Sequence, residues 1–174
     1  MHLPWLPRAY GVGPQILSSI TDDEITALST LAAGRDVLEI GSAFGYSAIG
    51  MAAAGAEVTA VDPHTWMDSY GTMTANIRAY NVADSVTVHV GRSQRVLPEL
   101  SGHFALVFVD GDHGADAVEH DLEWARKLLT ESGVIALHDY TESCCCPDVA
   151  VVADRMFGAA DPADVVDSLR VIRP

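Results

Sequence analysis

Short apolar runs that alternate with helix-patterned segments constrain the fold of this chain most. The runs are rich in Val, Ile and Leu and lie at 36–40, 57–61, 85–90, 104–109 and 134–137. Continuous apolar runs of this length are typical of strands that are buried on both faces. Between them, helical spacing predicts helices over 46–54, 69–80, 94–100 and 115–129. The alternation predicts an α/β fold with a doubly wound, mostly parallel sheet and right-handed crossovers.

The two ends of the chain add flanking elements. Helical spacing over 15–32 predicts one helix or two short ones, with a capping-box pattern from Thr21 to Glu24 in the middle. Residues 149–157 predict a last helix, and residues 164–172 predict a short hairpin. A chain of 174 residues is within the range of one domain. We therefore expect a single domain over 1–174 with an amino-terminal arm over 1–13.

Charge and composition exclude several classes of partner. The chain has 24 acidic and 10 basic residues and a net charge of −14, which disfavours binding to nucleic acid or anionic lipid. No apolar run approaches the roughly 18 residues that a membrane span needs, and the first residues lack the pattern of a signal peptide. We expect a soluble, cytoplasmic protein that binds a small molecule.

The three cysteines are adjacent, at Cys144, Cys145 and Cys146. No cysteine elsewhere is available to pair with them, which fits a reducing compartment. They also lack the C-x₂-C spacing that lets several thiolates reach one zinc ion. We therefore interpret them as reduced thiols beside the functional site.

A loop with two glycines four residues apart follows the first strand, in the pattern E-x-G-x-x-x-G formed by Glu39, Gly41 and Gly45. Glycine lets the backbone approach a ligand closely, and the next helix offers free N–H groups at its amino terminus. Ala43 occupies the position of the central glycine in a dinucleotide-binding loop, and the loop has no P-loop lysine. The alternative interpretation is an ordinary tight turn between strand and helix.

Polar residues also follow the next two strands. Asp62 ends the second strand about 20 residues beyond the glycine loop, where a carboxylate can accept both hydroxyls of a ribose. Gly91 and Ser93 follow the third strand. The alternatives are a solvated turn residue for Asp62 and a helix N-cap for Ser93.

The pattern E-x-G-x-x-x-G of Glu39, Gly41 and Gly45 resembles the first motif of class I S-adenosylmethionine-dependent methyltransferases. The segments 104–113 and 133–140 are similar to one branch, the cephalosporin-hydroxylase-like and macrolide sugar O-methyltransferases, and more remotely to catechol O-methyltransferase. The resemblance covers about 36–140 and implies S-adenosylmethionine as cofactor, whose cationic groups suit acidic residues. The residues that it assigns to the cofactor are Glu39, Gly41, Ser42, Gly45, Tyr46, Ser47, Asp62, Pro63, Gly91, Ser93 and Asp110.

The resemblance also implies a catalytic base. His113 stands where the D-x-x-H pattern of the branch has a general base, three residues after Asp110. A neutral imidazole is suited to take the proton that an alcohol or phenol loses when it is methylated. The alternative is that His113 only caps the helix that begins near Ala115.

Acids at the ends of the fourth and fifth strands hold a divalent ion in metal-using relatives. The corresponding residues here are Asp110 and Asp139, with His138 where the relatives carry an acid. Magnesium prefers oxygen ligands, whereas imidazole suits transition ions. Three alternatives stay open: His138 is not a ligand, the ion is manganese or another transition ion instead of magnesium, or no ion binds. Asp112 is a further candidate ligand, with an exposed loop acid as the alternative.

The sequence thus predicts methyl transfer from S-adenosylmethionine to a hydroxyl of a small-molecule acceptor. One alternative is a non-catalytic binder of S-adenosylmethionine or S-adenosylhomocysteine. A nicotinamide-dependent oxidoreductase is a second, disfavoured by Ala43. Trp5, Tyr10 and Trp66 are candidates for covering the acceptor pocket, and packing in the core or in a homodimer is the alternative for each.

Overall fold

A computed structural model describes residues 15–141 and 146–174 of the chain. The predicted amino-terminal arm, Trp5, Tyr10, Cys144 and Cys145 lie outside the described residues. The strands are β1 (Asp36–Ile40), β2 (Glu57–Asp62), β3 (Val86–Val90), β4 (Phe104–Val109), β5 (Leu129–Leu137), β6 (Val165–Val166) and β7 (Leu169–Ile172). The helices are α1 (Asp22–Ala32), α2 (Tyr46–Ala53), α3 (Ser69–Ala79), α4 (Ser93–Val96), α5 (Ala115–Leu128) and α6 (Pro147–Phe157).

The described strands form one seven-stranded sheet in the order β3-β2-β1-β4-β5-β7-β6. β1 to β5 run parallel to one another. β7 is antiparallel to β5 and forms a hairpin with β6. The predicted α/β fold with a mostly parallel sheet and a carboxyl-terminal hairpin is confirmed.

The central strands β1 and β4 are buried on both faces, as their unbroken apolar runs predict, but the same prediction is wrong for β3, an edge strand that has no buried residue. Successive side chains of a strand point to opposite faces, so neighbouring residues enter different cores. Val37 of β1 packs with α1, α2 and α3 on one face, and Leu38 packs with α5 and α6 on the other. None of the helices in the described part of the chain has the length and apolar character needed to span a bilayer.

The helix predicted over 15–32 begins later than expected, at Asp22. The Thr21 hydroxyl accepts from the Glu24 N–H at 3.2 Å, and a Glu24 carboxylate oxygen accepts from the Thr21 N–H at 2.9 Å. This capping box satisfies the first turn and marks the start of the helix, not its middle. Ile16 and Ile20 are buried in the non-helical segment before it, so their spacing reflects burial and not helical structure.

Two other boundaries differ from the sequence prediction. The helix predicted over 94–100 is the single turn α4 followed by a 3₁₀ turn at Leu97–Glu99. Pro98 lies in this turn and has no N–H to continue an α-helix. β5 begins at Leu129 instead of Val134, because Leu129 pairs with Phe104 before the register shifts at Leu106.

Candidate active site

A cavity of about 370 Å³ lies at the carboxyl ends of β1, β2 and β4. The crossovers that leave β1 and β4 diverge here to opposite faces of the sheet, which is where ligands bind in open α/β sheets. Six residues that the sequence assigned to the site line this cavity: Gly41, Asp62, Pro63, Ser93, Asp110 and His113. The structure therefore brings together predicted residues from four separate loops.

Gly41 begins the loop after β1 and has a positive φ of 92°. A Cβ at this position would collide with the main-chain carbonyl oxygen of Asp110. The Gly41 N–H donates to the Val61 carbonyl at 2.8 Å, and the Asp110 N–H donates to the Ile40 carbonyl at 2.8 Å. Glycine is needed here because the ends of three strands approach so closely, a reason independent of any ligand.

Asp62 holds the glycine loop from the end of β2. One carboxylate oxygen accepts from the N–H groups of Ser42 at 3.0 Å and Ala43 at 2.9 Å. The other accepts from the His64 N–H at 2.6 Å. A carboxylate has about four lone-pair sites, so these three contacts leave capacity for a ligand hydroxyl. The loop-holding role of Asp62 was not predicted from the sequence.

Other predicted cofactor residues lie behind the loop. Glu39 is fully buried and accepts from the Ser47 hydroxyl, while its second carboxylate oxygen has no hydrogen-bond partner among the described residues. Burial, together with the nearby Asp110 and Asp62 charges, outweighs the Ser47 hydrogen bond and raises the pKa of Glu39 to about 8. Tyr46 is buried in the core beside α3, and burial raises its pKa. The cofactor roles of Glu39, Tyr46 and Ser47 stay predictions.

Ser93 lines the cavity from the first position of α4. The residue at the N-cap is Arg92, so the alternative interpretation of Ser93 as an N-cap is wrong. A hydrogen bond links the side chains of Ser93 and Asp121, an almost fully buried residue of α5 that also lines the cavity. Burial raises the pKa of Asp121, and its hydrogen bonds oppose this shift. Gly91 lies behind, where its N–H donates to the Asp62 carbonyl at 3.0 Å.

A cluster of acids and histidines lies beside the cavity at the ends of β4 and β5. The side chain of His138 is buried, and its Nδ1 lies 3.2 Å from one carboxylate oxygen each of Asp110 and Asp139. Neither contact has the directional geometry of a hydrogen bond, so Nδ1 has no hydrogen-bond partner in the described part of the chain. Burial alone lowers the pKa of His138, but the surrounding carboxylates of Asp110, Asp139 and Glu24 outweigh it and raise the pKa to about 12.

Glu24 is the member of this cluster that the sequence did not reveal. It lies on α1, 114 residues before His138, and its carboxylate oxygen is 3.2 Å from Nε2 of His138. Its other oxygen accepts from the N–H and hydroxyl of Ser168 at 2.8 and 2.7 Å. Burial raises the pKa of Glu24, but the contacts with His138, Thr21 and Ser168 lower it to about 2. The sequence signal, a capping box, indicated only its local role.

His113 follows β4 and contacts the same cluster from the solvent side. Its Nε2 lies 2.8 Å from a carboxylate oxygen of Asp139, and 43% of its side chain is exposed. The hydrogen bond with His113 and the close contact with His138 hold the pKa of Asp139 well below its usual range. The N-cap of α5 is Gly114 and no side chain caps it, so the alternative of His113 as a helix cap is wrong.

Two further predicted residues lie at the rim. Asp112 is exposed, and its carboxylate accepts from the Gly114 N–H at 3.0 Å, which matches the alternative of an exposed loop acid. Trp66 lines the cavity with 55% of its surface exposed and packs against the ring of Phe44, with 5.3 Å between the ring centroids. Arg92 and Gln94 also line the cavity and were not predicted.

The comparisons with known proteins agree with this geometry. Residues 38–140, more than half of the chain, match a family described as a methyltransferase domain. The chain belongs to this methyltransferase family, and its fold and glycine loop define it as a class I S-adenosylmethionine-dependent enzyme. A comparison with curated proteins finds no match.

Solved structures with the same fold include three that are instructive. Cofactor-bound Rv0187 from MTB is 28% identical, with a TM-score of 0.69 over 86% of this chain and 72% of the other. The O-methyltransferase TomG from Streptomyces achromogenes, involved in tomaymycin synthesis and solved with SAM, is 24% identical, with a TM-score of 0.65 over 84% and 71%. CalS11, a TDP-rhamnose 3'-O-methyltransferase of calicheamicin biosynthesis, is 16% identical, with a TM-score of 0.67 over 86% and 76%.

Proposed function

We propose that the enzyme transfers the methyl group of S-adenosylmethionine to a hydroxyl of a small-molecule acceptor, with His113 as the general base. The observation that carries the proposal is the contact between His113, which lines the cavity, and Asp139, with 2.8 Å between Nε2 and the carboxylate oxygen. Like the motif of an activated base in other enzymes, it joins an imidazole to a carboxylate that orients it. TomG and CalS11, which share the fold, are O-methyltransferases, and this supports a hydroxyl acceptor.

The cavity has the charge and size for the cofactor. Four aspartates, Asp62, Asp110, Asp112 and Asp121, line it against one arginine, Arg92. Such a surface favours the cationic sulfonium and amino group of S-adenosylmethionine over a pyrophosphate. A volume of about 370 Å³ is within the roughly 300 to 1,000 Å³ of ligand pockets.

The proton has a defined route in this arrangement. When Nε2–H of His113 donates to Asp139, the lone pair of the neutral imidazole is on Nδ1. As the acceptor oxygen bonds to the methyl carbon, its proton passes to Nδ1 and the carbon–sulfur electron pair returns to sulfur. Asp139, which stays ionised because its pKa is held low, then stabilises the imidazolium. Alignment of the two reactants supplies the rest of the rate enhancement, which can reach about 7 to 11 kcal/mol.

The cluster beside this pair also fits a divalent ion. His138 Nδ1 is buried without a hydrogen-bond partner among the described residues and faces Asp110 and Asp139. The raised pKa of His138 belongs to the ion-free cluster, and a bound ion would replace the proton on Nδ1. Its Nε2 contacts the Glu24 carboxylate, the arrangement that commonly orients metal-binding imidazoles. Asp110, His138 and Asp139 would hold the ion, which supplies positive charge that orients an acceptor hydroxyl and favours loss of its proton. The imidazole favours manganese or another transition ion over magnesium.

Replacing His113 by Ala tests the proposal. General-base catalysis contributes about 10² to 10⁴-fold, so turnover on a panel of phenols and sugars should fall by that factor. Affinity for S-adenosylmethionine, measured by calorimetry, should be nearly unchanged because Gly41 and Asp62 are intact. The wild-type rate should rise with pH as the imidazole loses its proton, and this rise should be absent in the variant.

His103→Ala is the matched control, because His103 is exposed and precedes β4 at the amino end of that strand, opposite the end where the cavity lies. It should behave like the wild type in both assays. Full activity in His113→Ala would remove the base assignment. Cofactor binding without turnover on any hydroxyl compound would instead support the non-catalytic binder.

A further inference from the structure

The fold brings Cys146 to the same carboxylate that pairs with His113. Cys146 is buried at the N-cap of α6, while His113 follows β4 and Asp139 follows β5. One ligand atom from each of these three side chains lies within 4.8 Å of the others. The cysteine triplet lacks zinc spacing within itself, but the fold adds an imidazole and a carboxylate to one of its thiols.

Thiol, imidazole and carboxylate are the three ligand types of zinc sites. Three protein ligands with one open position are typical of zinc sites that remain accessible to a further ligand. Sulfur selects zinc and softer ions, whereas magnesium and calcium take oxygen ligands. His113, with 43% of its side chain exposed, gives an ion a path from solvent to the buried thiol.

Asp139 also faces a second imidazole. The buried Nδ1 of His138, which has no hydrogen-bond partner among the described residues, lies 3.2 Å from the same Asp139 oxygen that contacts His113 at 2.8 Å. One carboxylate oxygen thus faces two imidazole nitrogens, with a thiol nearby. We propose that Cys146, His113 and Asp139 form a site for a thiophilic ion such as Zn²⁺, and that this ion inhibits methyl transfer.

The inhibitory part rests on the proposed function of His113. A metal-bound imidazole is neutral and carries its remaining proton on the other ring nitrogen, so it cannot accept a proton from the acceptor. Asp139 also belongs to the group formed with Asp110 and His138. An ion at Cys146 therefore competes for Asp139 with an ion at Asp110. A thiophilic ion at Cys146 thus inhibits methyl transfer, whereas an ion held by Asp110, His138 and Asp139 supports it.

Cobalt(II) reports directly on sulfur ligation and substitutes for zinc. We expect the full chain, reduced and titrated with Co²⁺ in oxygen-free buffer, to develop a thiolate-to-cobalt charge-transfer absorption. Cys146→Ser should abolish this band and weaken competing Zn²⁺ binding by about 100-fold or more, since loss of a mere supporting residue already costs about 10- to 100-fold. The double variant Cys144→Ser, Cys145→Ser should retain the band.

Asp110 belongs only to the group formed with His138 and Asp139, so Asp110→Asn should also retain the band. Thermal unfolding of each variant checks that the fold is intact. Cobalt binding without the charge-transfer band, no cobalt binding at all, or loss of the band only in the double cysteine variant would each overturn the site. None of these spectra requires methyl transfer, so a failure of the proposed function does not affect them.

An activity assay tests the inhibition separately. Zn²⁺ at low micromolar concentration should inhibit the wild-type enzyme and the double cysteine variant, and Cys146→Ser should need about 100-fold more Zn²⁺ for the same inhibition. Equal inhibition of Cys146→Ser and wild type would overturn the inhibitory role even if the cobalt spectrum shows sulfur ligation.

Discussion

The two halves of the site are built by different kinds of contact. One half, which we call the cofactor half, consists of the glycine loop after β1 and Asp62. Asp62 binds the N–H groups of Ser42 and Ala43, which lie at most 20 residues away and follow an adjacent strand. The other half, which we call the acid–histidine half, is the cluster of Glu24, Asp110, His113, His138 and Asp139. Within it, Glu24 and His138 are in contact although 114 residues separate them in the sequence. The first half uses neutral backbone groups and one carboxylate. The second consists of coupled charges, so the loss of one member affects all the others.

Removing a metal tests this coupling with the largest expected effect. If Asp110, His138 and Asp139 hold an ion, a chelator should abolish turnover while S-adenosylmethionine still binds to the other half. Manganese or another transition ion should restore the rate at least as well as magnesium, because His138 contributes nitrogen. The measurement is turnover and calorimetric affinity in chelator, followed by addition of each ion. Full activity in chelator would leave His113 as the only catalytic group of that half.

Glu24→Gln tests the same half through stability. The substitution keeps the shape but leaves the buried His138 without one of its charged partners. Breaking a buried charge pair costs about 3 to 5 kcal/mol, and we expect the lower end, near 3 kcal/mol, because Gln still accepts a hydrogen bond. The free energy of unfolding in urea measures the loss. Asp23→Asn is the control, because Asp23 is an exposed acid in the same first turn of α1. If both variants lose an equal, small amount of unfolding free energy, Glu24 acts only in the capping box of α1.

The sequence predicted the cofactor half better than the acid–histidine half, because the contacts of the first half are local in sequence and those of the second are not. Apolar runs and glycine spacing are local signals, and they placed β1 and β4 at the observed residues and Gly41 and Asp62 at the cavity. The contact of Glu24 with His138 depends on how α1 crosses the sheet, and no local pattern encodes that. The segment before α1 shows the opposite problem, because a local pattern is present but predicts the wrong structure. The helical spacing of Ile16 and Ile20 reflects burial by the tertiary fold.

Asp62→Ala tests the cofactor half. If Asp62 accepts both ribose hydroxyls, its loss should weaken S-adenosylmethionine binding by about 1 to 3 kcal/mol. Asp62→Asn should weaken it less, because an amide oxygen can still accept from the glycine loop. Asp36→Ala, an exposed acid at the opposite end of β1, is the control and should leave affinity unchanged. Calorimetry measures all three. Unchanged affinity in Asp62→Ala would remove the ribose assignment and leave Asp62 as a loop-holding residue.

Glu39→Gln tests by pH whether the carboxyl behind the glycine loop is protonated in the folded protein. Burial raises the pKa of Glu39 from 4.5 to about 8, so the folded state holds a proton that the unfolded state releases above about 4.5. The stability that this proton contributes is fully present below pH 4.5 and is lost as pH rises through 8. The limiting slope for one proton is about 1.4 kcal/mol per pH unit.

Urea unfolding of wild type and Glu39→Gln from about pH 5 to 8 should therefore converge or cross as pH falls, with the variant showing the shallower decline toward pH 8. His138 adds its own decline above about pH 6.5, because its folded pKa is raised to about 12. That decline is common to both proteins and cancels in their difference. Gln mimics a protonated carboxyl and can still accept from Ser47, so the variant should fold normally. A difference in unfolding free energy that is constant across this pH range would mean that Glu39 is ionised in the folded protein, and that the cofactor half contains a buried charge after all.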